Sequence, residues 1–75
     1  MKRSMIAQAA RRAGVGMQTA RFYVRQGLLS EPAGDSTDSR QGEDRLVRRL
    51  LLIRRGKELG FTLNEIKDLL STKTG

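Results

Sequence analysis

The chain predicts a small, mostly α-helical domain of four helices organised around a helix-turn-helix. Three observations carry that expectation. Apolar residues recur at helical spacing in four stretches, a glycine followed by an apolar residue closes three of them, and a run of turn-forming residues interrupts the pattern once. At 75 residues the chain is one domain, and a domain of this size buries only about 60% of the surface its unfolded chain exposes. The core is therefore expected to be modest.

The first helix is expected over about Met5 to Ala13, with Ile6, Ala9, Ala10 and Ala13 on one face. The second runs from about Met17 to Gln26, with Met17, Ala20, Tyr23 and Val24 inward. Gly14-Val15, Gly27-Leu28 and Gly60-Phe61 each follow a periodic stretch, as in helices that end on a left-handed glycine whose apolar successor folds back onto the last turn. From Leu28 to Gln41 the periodicity stops, and Pro32, Gly34, Asp35, Ser36, Thr37, Asp38 and Ser39 supply turn chemistry, for a loop or at most a short hairpin.

The third helix is expected from about Glu43 to Leu59, with Glu43 and Asp44 at its positive end. Leu46, Val47, Leu50, Ile53 and the stem of Lys57 form its inward stripe, and Arg45, Arg48, Arg49, Arg54 and Arg55 its cationic face. The start of the fourth helix is the best specified. Thr62 and Glu65 have capping-box spacing, Phe61 and Ile66 flank them as a hydrophobic staple, and Leu63, Ile66, Leu69 and Leu70 face inward. The last residues, 71–75, are expected to fray. The layout is a helix-turn-helix over 5–27, a wing or loop over 28–42, and helices three and four over 43–71.

With 15 Lys and Arg against 8 Asp and Glu, the net charge of +7 points to a polyanionic partner or an anionic surface. Its distribution is more informative. Every charged side chain before Glu31 is basic: Lys2, Arg3, Arg11, Arg12, Arg21 and Arg25. The chain has no cysteine and no histidine, so it lacks thiolate ligands, the commonest metal ligand and the commonest general base. An enzyme is not expected, nor any cofactor, metal or small-molecule ligand within this chain. The longest apolar run, Leu50 to Ile53, is far below the roughly 18 residues that span a bilayer, and a soluble, cytoplasmic protein is expected.

A short helical pair that carries only positive charge has the shape and sign that double-stranded DNA selects. On the second helix the positions off the apolar face are Gln18, Thr19, Arg21, Phe22 and Arg25. Glutamine pairs bidentately with adenine and arginine with guanine, each pair giving about 1 to 3 kcal/mol of discrimination. The bland alternative is that all five are solvated. Phe22 and Tyr23 diverge by about 100°, which puts one ring in the core and the other against a bound duplex, with Tyr23 assigned inward and its hydroxyl outward. Arg11 and Arg12 on the first helix are candidate phosphate clamps. The arginines of helix three read first as a solvated face, with phosphate contact by Arg48 or Arg49 as the lesser alternative.

The segment from Ile6 to Leu29, with A-x-x-A-G-V, T-A-R-F-Y and G-L-L as fixed points, resembles the DNA-binding domain of the MerR family of bacterial transcription regulators. I-R-R-G-K-E-L-G-F-T-L-N-E-I-K-D-L-L, from Ile53 to Leu70, resembles that domain's third and fourth helices. What the resemblance implies is a winged helix-turn-helix with Gln18, Arg21 and one of Phe22 and Tyr23 contacting groove and backbone, and a two-stranded wing after Gly27. Family wings usually carry G-Y-R-x-Y. Here Asp38-Ser39-Arg40-Gln41-Gly42 keeps only the arginine, so the wing is degenerate or a loop, and Arg40 is the one residue carried over from it, as a phosphate contact. Full-length relatives continue into a dimerisation helix and an effector-binding segment, which this chain, ending at Gly75, is expected to lack.

The expected function is sequence-specific binding of double-stranded DNA for transcriptional regulation, in the cytoplasm at the nucleoid. Expected partners beyond DNA are RNA polymerase or neighbouring protomers on the duplex, and no membrane. Two alternatives stand beside it: an excisionase-like architectural DNA-binding protein, and a basic protein-interaction module.

Overall fold

The computed structural model describes residues 4–30 and 39–71, which form four helices in the order α1 (Met5–Ala13), α2 (Met17–Arg25), α3 (Ser39–Glu58) and α4 (Leu63–Ser71). α1 starts where Ser4 adopts an extended backbone and its Oγ accepts a hydrogen bond from the Ala7 amide at 3.3 Å. It ends on Gly14 at φ 75°. The Gly14 amide donates to the Arg11 carbonyl and the Val15 amide to the Ala10 carbonyl, at 3.2 and 2.8 Å. The same pair of bonds recurs beyond α2, where the Gly27 and Leu28 amides reach Val24 and Tyr23, and beyond α3, where the Gly60 and Phe61 amides reach Lys57 and Gly56. At Gly14 and Gly27 any side chain would strain the left-handed backbone.

α4 opens with the reciprocal capping box. The Glu65 amide donates to Thr62 Oγ1 at 3.1 Å, and the Thr62 amide donates to Glu65 Oε1 at 2.8 Å.

The core pairs small with large. Ala9, Ala10 and Ala13 on α1 are buried in one cluster with Leu46, Leu50 and Ile53 on α3, so the two helices approach closely and form the main interface of the fold. Ile6, Ala20, Leu28, Leu29 and Ile66 complete the buried set, and Met17, Tyr23, Val47, Leu63 and Leu70 pack against its edge. α4 reaches the core through Ile66, which lies over Gly56 of α3.

Four expectations change. α3 begins at Ser39, so residues 39–42, assigned to the wing or loop, are helical, and no strand occurs among the described residues. Of the rest of the expected wing, Leu28 and Leu29 are buried in the core and Ser30 is exposed, while residues 31–38 lie outside the described residues. Arg40 and Gln41 are good helix formers, and Gly42 is buried, which extends the helix ahead of its apolar stripe. Because of that extension Glu43 and Asp44 lie past the first turn and do not cap the positive end; they face α1 instead. Val24 and Leu69, expected inward, are 37% and 59% exposed, because the helices they sit on are each covered along a narrow stripe. Lys57 is also exposed.

Candidate nucleic-acid interface

α2 is short, and its burial is concentrated in Ala20, which is fully enclosed, with Met17 and Tyr23 half-buried on either side. At 100° per residue, Gln18, Phe22 and Arg25 lie opposite Ala20, and Thr19 and Arg21 flank them. All five are exposed. The structure therefore brings the five outward residues onto one continuous acid-free face. Phe22 and Tyr23 sit with ring centroids 6.1 Å apart and planes tilted by 50°. Tyr23 packs against the core edge and Phe22 is 38% exposed, which resolves the pair in favour of Phe22 as the outward ring.

The turn that presents this face consists of Gly14, Val15 and Gly16, with Val15 packed against the core. Gly16 is the N-cap of α2, and among the described residues no side-chain hydrogen bond caps this end of the helix. The first amides and the positive end of the helix dipole favour an anion there. Beside α2, Ser4, Ile6, Met17, Arg21, Val24 and Arg25 line a shallow depression of about 320 Å³. Ser4 is not among the residues singled out from the sequence; its signal is its place as the helix cap just before Met5.

The two arginines of α1 have different surroundings. Arg11 is exposed, and it makes no ion pair among the described residues. Arg12 donates through Nη1 to Glu43 Oε2 and to Asp44 Oδ1, both at 2.8 Å. The hydrogen bonds to Glu43 and then Asp44 raise the guanidinium pKa above its ordinary value, so Arg12 stays charged and is already matched by two carboxylates. Arg40, in the first turn of α3, borders the same open depression as Arg12, Glu43 and Asp44. It lies at α1's edge of α3 and not on α2's face. No local pattern reveals the Arg12 contacts, because its partners are 31 and 32 residues away. Arg54 closes the other end of that interface: its Nη1 lies 3.5 Å from the Ala13 carbonyl at the negative end of α1, and its Nε 3.6 Å from Glu58 Oε2.

Comparison with known proteins agrees with this architecture. The family model described as MerR HTH family regulatory protein matches residues 5–73. A mercuric resistance operon regulatory protein of Bacillus cereus is 45% identical over 65 residues, covering 87% of this chain and 49% of that protein. One from Pseudomonas fluorescens is 39% identical over 66 residues, 88% of this chain and 46% of the relative. The HTH-type transcriptional regulator HmrR of Sinorhizobium medicae is 35% identical over 66 residues, 88% and 45%. No solved structure matches significantly. The chain thus spans about half the length of the curated relatives it matches. The match covers all four helices described above, and on it the chain belongs to the MerR helix-turn-helix family of regulatory proteins.

Proposed function

We propose that this chain binds double-stranded DNA sequence-specifically and regulates transcription, with α2 seated in the major groove. The observation that carries the reading is the exposed face of α2, where Gln18, Thr19, Arg21, Phe22 and Arg25 form one acid-free surface held on α1 by a closed glycine turn. Gln18, one residue into the helix, reaches a base edge. Arg21 contacts a base edge or a flanking phosphate, and Thr19 and Arg25 meet the backbone. Phe22 lies against the sugar-phosphate wall, with the Tyr23 hydroxyl at its edge. Arg11 clamps a phosphate beside the groove. Arg12, held by Glu43 and Asp44, supports that clamp by fixing α1 on α3, and Arg40 contributes positive potential at the same edge. The regulator names of the relatives support this reading. One chain of this size covers one half-site, so neighbouring protomers on repeated sites supply the remaining affinity, and RNA polymerase is the machinery acted on.

Fluorescence anisotropy with labelled duplexes at several salt concentrations tests the proposal. With about six phosphates neutralised, the logarithm of the affinity falls with log salt at a slope near −5. Undetectable or salt-independent binding overturns it.

A further inference from the structure

α3 carries a second surface that the DNA reading does not use. Arg45, Arg48, Leu52, Arg55 and Leu59 follow one another at spacings of three and four residues, so they form a single row along the helix. All five are exposed; Leu52 and Leu59 keep 53% and 64% of their surface in solvent. α1, and through it α2, packs against the opposite side of α3 around Leu50. Halfway along the row, Arg45, Arg48, Arg49, Leu52 and the α4 residue Leu70 line an open cleft of about 750 Å³.

The charged members of the row are all arginines. None of Arg45, Arg48, Arg49 and Arg55 makes an ion pair among the described residues; Asp44, four residues before Arg48, and Glu58, three after Arg55, border the row but pair with Arg12 and Arg54, and Glu43 also pairs with Arg12. A face that served only solubility would mix signs. A phosphate backbone would satisfy the arginines and leave the leucines with nothing to bury against. Two copies of the row would set arginine against arginine. We propose that this row docks an acidic, leucine-bearing amphipathic helix of a partner protein, whose carboxylates meet Arg45, Arg48 and Arg55 and whose leucines cover Leu52, Leu59 and the cleft.

The test is a titration of ¹⁵N-labelled chain, free of DNA, with a synthetic helical peptide of about three heptads that carries glutamate and leucine along one face. A scrambled peptide of the same composition serves as control. Expected are amide shifts confined to the α3 row and the end of α4, with little binding of the scrambled peptide. Leu52→Gln and Leu59→Gln, both at exposed sites, each weaken binding about tenfold, and Arg48→Glu with Arg55→Glu abolishes it. The leucine variants keep the salt-dependent duplex binding of the parent chain. Shifts on α2, equal binding of the scrambled peptide, leucine variants that bind the peptide like the parent, row shifts in a separate titration with a short duplex, or self-association through the row each overturn the proposal. Because no DNA is present in the titration, its failure leaves the reading of α2 untouched.

Discussion

Gly56 of α3 and Ile66 of α4 meet so closely that a β-carbon on the glycine would lie 2.9 Å from both Cγ1 and Cδ1 of the isoleucine. A glycine inside a helix costs up to about 1 kcal/mol relative to alanine, less in the last turn where Gly56 lies, so on helix propensity alone Gly56→Ala would stabilise the chain. Ile66 is only 3% exposed and cannot swing into solvent. Overpacking of this kind costs about 1 to 3 kcal/mol, and the expected result is net destabilisation, a lower urea midpoint, and partial recovery when Ile66→Val removes Cδ1.

Removal of Arg12 has a local and a functional signature. Arg12→Ala frees the first turns of α3 from α1, and hydrogen exchange is expected to quicken at 43–47, the first amides with acceptors inside the helix, while amides near Leu50 and Ile53 keep their protection. Exchanging the charges, with Arg12→Glu and Glu43→Arg, restores slow exchange if the tie acts through its charge pair.

The same tie sets Arg11 and Arg12 apart on DNA. Arg11→Ala lowers the magnitude of the salt slope by about one. Arg12→Ala lowers it by less, because that guanidinium is matched before DNA arrives. The double neutralisation Glu43→Gln with Asp44→Asn releases Arg12 toward phosphate and steepens the slope. Duplex titrations at several salt concentrations measure all three.

On α2, base and backbone contacts separate by their response to sequence. Against a site selected from random duplexes, Gln18→Ala costs about 1 to 3 kcal/mol at one base pair and leaves the salt slope in place. Arg25→Ala weakens every duplex alike and reduces the slope.

Capping can be tested without DNA. Thr62→Ala removes the acceptor for the Glu65 amide and is expected to cost about 1 kcal/mol, a fall in Tm of roughly 4 to 8 °C for a domain this small.

Where neighbours along the chain decide the structure, the residues announce it. Gly14, Gly27 and Gly60 were readable as helix ends because each is followed at once by the apolar residue whose amide completes the closure. Thr62 and Glu65 were readable because both partners of the box lie within four residues. Ile6, Ala9, Ala10 and Ala13 were readable as α1's inner face because one helix, α3, covers that whole side. The first turn of α3 was not readable, since Ser39 to Gly42 carry no apolar period and Arg12 holds the residues just beyond from the far side of the fold. Val24 and Leu69 show the same limit: an apolar side chain at helical spacing is buried only when some other element arrives to cover it. On the candidate interface, Gln18, Thr19, Arg21, Phe22 and Arg25 were legible as outward-facing, whereas the split between Arg11 and Arg12 depends on two carboxylates more than 30 residues away.

The connection between α1 and α2 is three residues long, its glycine amide and the next are both bonded back into α1, and Val15 is anchored in the core. A helix mounted this way has little freedom to tilt. On the proposed DNA-binding reading, α2 cannot follow a duplex whose groove is too wide, too narrow or wrongly twisted, and the work of adjustment falls on the DNA. Discrimination then arises partly from what each sequence costs to deform, at base pairs that no side chain touches.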